Sequence, residues 1–121
     1  MVTNKILLIE DDELASEFIY TYLEDCGFNV DVVFTAVEGV AWLKSKEYSL
    51  VLLDLNLPDF DGHEIIKRVR TFSTIPIIVT SASSDTRSKV LASNYGANDY
   101  MVKPIDLEEL VVRMRVHLQE Q

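Results

Sequence analysis

Ser49-Leu50-Val51-Leu52-Leu53-Asp54 decides the fold. A run of Leu and Val without polar alternation is what a strand covered on both faces looks like, and such strands belong to parallel sheets flanked by helices. The run ends on a carboxylate. Other apolar runs also end on residues with chemistry. Lys5-Ile-Leu-Leu-Ile-Glu10 leads to Asp11, Ile75-Pro-Ile-Ile-Val-Thr80 to Ser81, and Asp99-Tyr-Met-Val102 to Lys103. If these runs are parallel strands of one sheet, Asp11, Asp54, Ser81 and Lys103 emerge at the same edge, where open α/β sheets place their ligands.

The rest of the chain alternates to match. Residues 6–9, 30–34, 50–53, 75–80 and 100–102 are predicted strands, and Asp31 interrupts the second, which puts it near an edge. Leu14, Phe18, Tyr22 and Cys26, flanked by Ala15, Ile19 and Leu23, make a stripe at helical spacing. Gly27 is placed to stop that helix. Thr35 with Glu38 reads as a capping box for a second helix through Trp42 and Leu43. Asp61 with Glu64 opens a third, carrying Ile65, Ile66 and Val69. Asp85 opens a weaker fourth with Val90 and Leu91, ended by Gly96. Asp106 with Glu109 opens a fifth, whose Leu107, Leu110, Val111, Met114 and Leu118 face inward. Successive βα units predict an α/β fold: a doubly wound, five-stranded parallel sheet with helices on both faces.

A length of 121 residues predicts one domain over 1–121, with any output domain lying after residue 121. Eleven Lys and Arg against 20 Asp and Glu give a net charge of −9. That balance argues against nucleic acid and anionic membrane as direct partners, since both attract basic patches. No stretch approaches the ~20 apolar residues of a membrane helix. No signal peptide opens the chain, so the cytoplasm is the expected location. The single Cys26 lies in an apolar helical pattern and is expected to be a buried structural thiol. His63 and His117 lack a partnering motif and read as helix-surface residues. Phe18, Tyr20, Tyr22 and Trp42 read as core or amphipathic surface.

Gathered at one edge, Glu10, Asp11, Asp54, one hydroxyl and one ammonium suit a divalent cation and a phosphoryl group. Carboxylates ~4 Å apart repel by roughly 1 to 4 kcal/mol per pair, so a fold tolerates them only with a compensating cation. Oxygen ligands of this kind favour Mg²⁺, which takes one or two carboxylates plus phosphate oxygens. A carboxylate can also attack phosphorus to give an aspartyl phosphate. Asp54 is the candidate because its strand is the most hydrophobic and should be central. Mg²⁺ would bridge Asp54 and the incoming oxygens, while Lys103 and the Ser81 hydroxyl hold the others. A cis Lys103–Pro104 bond would aim the lysine into the cleft. Taken singly, each residue has a plainer reading: Glu10 to Glu13 as a solvated turn with a helix cap, Asp54 as a loop cap, Ser81 as a turn residue, Lys103 as a snorkelling side chain. All four at strand ends of one sheet make the joint plain reading much weaker.

At these residues the chain resembles the receiver domain of two-component response regulators. The motifs are Lys5-Ile-Leu-Leu-Ile-Glu-Asp-Asp-Glu13, Leu52-Leu-Asp-Leu-Asn-Leu-Pro-Asp-Phe-Asp-Gly62, Pro76-Ile-Ile-Val-Thr-Ser-Ala82 and Gly96-Ala-Asn-Asp-Tyr-Met-Val-Lys-Pro104. They span nearly the whole chain in order. The resemblance implies a flavodoxin-like (βα)5 fold of strand order 2-1-3-4-5. It implies that Asp54 accepts a phosphoryl group from a sensor histidine kinase. Asp11 is the direct Mg²⁺ ligand, Glu10 acts through water, and Asn56 offers its backbone carbonyl. Ser81 is the hydroxyl switch, where threonine is commoner, and Thr80 points into the sheet. Tyr100 is the aromatic partner that swings inward when Ser81 moves, and Lys103 contacts the phosphoryl oxygens. Pro58 and Gly62 shape the loop after Asp54, and Asn56 and Ser83 tune hydrolysis. The modified state favours an altered α4–β5–α5 surface.

The last third resembles receivers attached to winged-helix DNA-binding domains, through Gly96-Ala-Asn-Asp-Tyr100 and Glu108-Glu-Leu-Val-Val-Arg113. There, charges on the fourth helix, fifth strand and fifth helix pair across a two-fold homodimer; Lys89, Asp99, Glu109 and Arg113 are the candidates. Ser93-Asn94-Tyr95 departs from that subfamily's pattern. Alternatives to a phospho-accepting module controlling transcription are a stand-alone receiver acting on a protein partner, a small aspartyl-phosphate phosphatase, a flavin-binding protein and a degenerate receiver. Phosphatases of that type carry an aspartate as general acid two residues after the nucleophile, and Asn56 stands there. Glu10-Asp-Asp-Glu13 would repel a flavin phosphate.

Overall fold

The alternation of buried side chains along each strand builds the molecule. Ile6 and Leu8 point to one face of the sheet, Leu7 and Ile9 to the other, and all four are essentially inaccessible. A strand buried on both faces must be covered on both. The structure, a computed structural model, describes residues 4–118; the opening residues 1–3, part of the stretch read for a leader, lie outside the described part. Strands β1 (Lys5–Ile9), β2 (Asn29–Val33), β3 (Leu50–Asp54), β4 (Ile77–Ser81) and β5 (Asp99–Val102) alternate with helices α1 (Glu13–Asp25), α2 (Ala36–Ser45), α3 (Gly62–Arg70), α4 (Thr86–Tyr95) and α5 (Leu107–Leu118). All strands are parallel, in the order β2-β1-β3-β4-β5. This is the doubly wound order predicted, with β3 central and β2 at an edge.

Two cores follow from the strand period. Ile6, Leu8, Leu50, Leu52 and Ile78 pack against Ile19 and Leu23 of α1 and Leu110 and Met114 of α5. Leu7, Ile9, Val51, Leu53 and Val79 pack against Val40 of α2, Ile65, Ile66 and Val69 of α3, and Ala92 of α4. Full burial of each such side chain contributes about 1.5–3 kcal/mol. The edge position of β2 explains Asp31: it accepts the Tyr48 hydroxyl at 2.7 Å and pairs with Lys5 at 3.5 Å.

The caps predicted for α2 to α5 form, and Asp12 adds one on α1. Asp12, Thr35, Asp61 and Asp85 cap α1 to α4 through their side chains, and Asp106 accepts the Glu109 N–H at the start of α5. Gly96 ends α4 at φ 115°, a left-handed conformation that favours glycine. Four expectations need correction. On α1 the inward stripe is Ser16, Ile19 and Leu23, while Leu14 and Phe18 are 65% and 63% exposed. Apolar residues occupy too much of this helix to define its face, and a buried serine marks the true one. On α4, Val90 and Leu91 are exposed and Ala92 is buried. Cys26 is half-buried rather than buried, at the margin of the α1 core. β4 also starts two residues later than predicted, after Pro76. No helix among the described residues is long and apolar enough to cross a membrane.

Gly62 opens α3 where there is no room for a side chain. A Cβ there would lie 2.5 Å from the Leu55 Cα and 2.9 Å from its carbonyl oxygen. Backbone cannot retreat as a flexible side chain could. Gly62→Ala is expected to destabilise the fold by about 1–3 kcal/mol, the usual range for overpacking, as read by urea unfolding. Parental stability in that variant would show that residues 55–61 yield freely.

Candidate functional site

The carboxyl end of the sheet carries the chemistry. Glu10 extends β1 by one residue, its N–H donating to the Val33 carbonyl at 3.1 Å. Its side chain is 1% exposed and that of Asp54, the last residue of β3, is 3% exposed. Asp11 is exposed beside them. Oxygens of Glu10, Asp11 and Asp54 all lie within 4.8 Å of one another. Asp12 is set apart from this group: it accepts the Ala15 N–H as the α1 cap and gives its own N–H to Glu10 Oε2.

Lys103 follows β5 and reaches back across the sheet edge. Its Nζ donates to Glu10 Oε1 at 3.0 Å and to Asp54 Oδ2 at 3.2 Å. The Lys103–Pro104 peptide is cis, which the sequence had left open. The Lys103 N–H donates to the Ser81 carbonyl at 2.7 Å, which holds the ends of β4 and β5 together. Ser81 is 2% exposed, and its Oγ accepts the Ser83 N–H at 3.1 Å. Thr80, paired in register with Asp54, is buried in the sheet. Asp54 Oδ1 accepts the Asn56 N–H at 3.0 Å, and an isolated bridge from Asn56 to Asp61 closes the 56–61 loop.

The electrostatics are those of crowded acids. Burial and the neighbouring Asp54 push the Glu10 carboxyl up to about 7 from its usual 4.5, against the pull of Lys103. Burial favours the neutral form of Lys103, but Glu10 and Asp54 outweigh it and hold the ammonium above its ordinary value. One lysine is bonded to two of the three clustered carboxylates. The hard oxygen donors and their residual negative charge fit a divalent cation such as Mg²⁺.

Asp11, Asp54 and Lys103 therefore meet as the strand ends predicted, with Glu10 between them. Ser81 sits at the same edge, between the strands that carry Asp54 and Lys103. Tyr100 is half-buried in β5; its hydroxyl donates to the Ser83 carbonyl at 2.9 Å. Among the proposed dimer residues, Arg113 binds Asp99 at 2.6 Å and Glu109 at 2.9 Å, while Lys89 lies 6.0 Å from the Tyr100 ring centroid.

Both histidines differ from expectation. His117 contacts Asp99 at 3.1 Å, and the His63 side chain, 14% exposed, lies between Asp61 and Ser88. Neither Ser88 nor Asp59 stands out in the sequence. Asp59 accepts the N–H groups of Ala36 and Val37 at 2.9 and 3.0 Å, tying the loop after β3 to α2. Burial opposes its ionisation, but these bonds and those of nearby backbone win and hold its carboxyl below the usual value. Ala36 and Val37, the partners of Asp59, and Ser88, which meets His63, are 22 to 25 residues away in sequence, so no local pattern announces them.

Residues 6–115 match the response regulator receiver domain family. Curated relatives are response regulators ArlR from Staphylococcus saprophyticus, 44% identical over 117 residues, and from Staphylococcus aureus, 40% identical over the same length. Each alignment covers 97% of this chain and 53% of the relative, so the chain spans about half the length of these proteins. A two-component response regulator from Clostridium difficile is 30% identical with a TM-score of 0.94, and the match covers 98% of both chains. The match over residues 6–115, the identity to these relatives and the shared fold agree, and the chain belongs to the response regulator receiver domain family.

Proposed function

We propose that this domain accepts a phosphoryl group on Asp54 from a phosphohistidine of a sensor histidine kinase, and that the modified state alters the α4–β5–α5 surface to control an output, transcription being the output proposed. The observation that carries this reading is the Lys103 ammonium, 3.0 Å from Glu10 and 3.2 Å from Asp54 at the mouth of the sheet. An Asp54 oxygen forms the new P–O bond as the P–N bond breaks and its electron pair leaves with the imidazole. Lys103 is placed to turn from Asp54 toward the transferred oxygens, and the Ser81 hydroxyl to follow them. Asp11 and Asp54, the Asn56 carbonyl, and Glu10 through water are the groups that would hold Mg²⁺. When bound, Mg²⁺ offsets the charge of the carboxylates and of the phosphoryl oxygens. Little beyond positioning and charge neutralisation is needed for such a transfer.

The domain is proposed to modify itself rather than turn over a separate substrate. Lys89, Asp99, Glu109 and Arg113 are proposed as the charged part of a homodimer face. Arg113 already bridges Asp99 and Glu109 within one chain, so a two-fold dimer would exchange these partners for those of a second copy.

Incubation with acetyl phosphate and Mg²⁺, followed by intact-mass measurement, tests the central step. The parent should gain one phosphoryl group, and Asp54→Asn none. Equal gain by Asp54→Asn would place the acceptor elsewhere.

A further inference from the structure

Resting on the reading of Tyr100 as the aromatic partner of Ser81, we propose that His63 is a positioning residue that holds Tyr100 through Ser88. The hydrogens assign themselves along this row of side chains. Tyr100 gives its only hydroxyl proton to the Ser83 carbonyl, 2.9 Å away. Its oxygen lies 3.0 Å from Ser88 Oγ, so Ser88 must be the donor there. With its proton so used, Ser88 Oγ has only lone pairs to offer His63 Nε2 at 3.3 Å. The Ser88 carbonyl, also an acceptor, lies 3.2 Å from the same nitrogen. Nε2 therefore carries a hydrogen, and donation runs one way: His63 to Ser88 to Tyr100 to Ser83.

Both ends of the row are anchored. Asp61, the α3 cap, accepts the His63 backbone N–H at 2.9 Å, and its Oδ1 lies 3.1 Å from His63 Nδ1, where it accepts a hydrogen bond when that nitrogen too carries a hydrogen, as in the imidazolium. At the far end, the Ser83 N–H donates to the Ser81 hydroxyl oxygen. The row thus joins the start of α3 to α4, β5 and the residue proposed to sense phosphate. A turn of the Tyr100 ring must break its bonds to Ser83 and Ser88. A Ser88 hydroxyl fixed by His63 favours the bonded orientation over the alternative, which is a population bias in a two-state element.

Spectra of protein carrying ¹³C-labelled tyrosine, recorded without a phosphate donor, test this assignment. The Tyr100 ring signal is identified by its loss in Tyr100→Phe, and amide spectra establish that each variant is folded. His63→Leu and Ser88→Ala should each shift the Tyr100 signal, and the double variant should shift it no further than the larger single change, because the two act in series. His63→Gln, which keeps an N–H donor, should bring the signal back toward the parental position. A signal unmoved in His63→Leu, additive shifts in the double variant, or a His63→Gln signal no nearer the parent than that of His63→Leu would each overturn the assignment. Since no phosphoryl group enters the measurement, it decides the role of His63 whether or not Asp54 is the acceptor.

Discussion

Replacing Lys103 by methionine is expected to slow acyl-phosphate formation at Asp54 by about 100- to 1,000-fold, the usual cost of removing one preorganised donor from a developing negative charge. The ammonium is the single cation bonded to both Glu10 and Asp54, and no second lysine or arginine is seen bonded to either carboxylate among the described residues. Methionine keeps the packing of the stem and loses the charge. Removing one partner of a buried ion pair costs about 3–5 kcal/mol when the other charge is stranded. Here the loss should be smaller, about 2 kcal/mol at pH 8 by the same reasoning, because Glu10 can take up a proton. It should shrink further at pH 6, where that proton is already bound. Phosphorylation followed by intact mass gives the first effect, and urea unfolding at both pH values gives the second. A variant phosphorylated within tenfold of the parental rate would remove Lys103 from the proposed chemistry.

The site was legible because its residues terminate strands. Strand ends are marked by where an apolar run stops, and parallel topology then brings Asp11, Asp54, Ser81 and Lys103 to one edge without any knowledge of side-chain angles. The central position of β3 was equally legible from its unbroken Leu and Val. Helix faces were less so. Leu14 and Phe18 read as part of the α1 stripe, Phe18 as core or amphipathic surface, because helical spacing assigns a face only when polar residues occupy the opposite one, and α1 has apolar residues on both. Ala92 shows the converse: a small side chain carries little hydrophobic signal yet fits where α4 meets the core.

What the sequence concealed is the wiring between loops. Asp59 does not stand out in Leu57-Pro58-Asp59-Phe60, yet it closes the N-terminus of α2. Its bonds fix the same loop that Asn56 and Gly62 begin and end. His63 reads as a solvated position near a helix start, yet α4 covers it. Both depend on contacts between elements distant in sequence, which composition and periodicity do not encode. The acidic edge and the Tyr100 region are thereby joined through the 55–63 segment, in which Gly62 lies too close to the Leu55 backbone to carry a side chain.

Glu10→Gln is expected to stabilise the cation-free protein above pH 7, although it removes a bond partner of Lys103. The Glu10 carboxyl lies at about 7 in the folded state against an ordinary 4.5, so the folded chain holds this proton more tightly than the unfolded chain. Its favourable contribution is full below pH 4.5 and is lost as pH rises from there through about 7. At about 1.36 kcal/mol for each pH unit between those two values, the loss amounts to roughly 3 kcal/mol at most. Glutamine cannot ionise, so the variant should lack this part of the pH dependence. With Mg²⁺ present the order should reverse, because a cation that binds the native acidic cluster stabilises the parent by mass action and the variant less. Urea unfolding from pH 5 to 8, in chelator and in Mg²⁺, reads both effects. Other titrating groups are common to the two proteins and cancel in the difference. Identical pH slopes for parent and variant in chelator would mean that Glu10 is already ionised across this range, with Lys103 alone offsetting its burial.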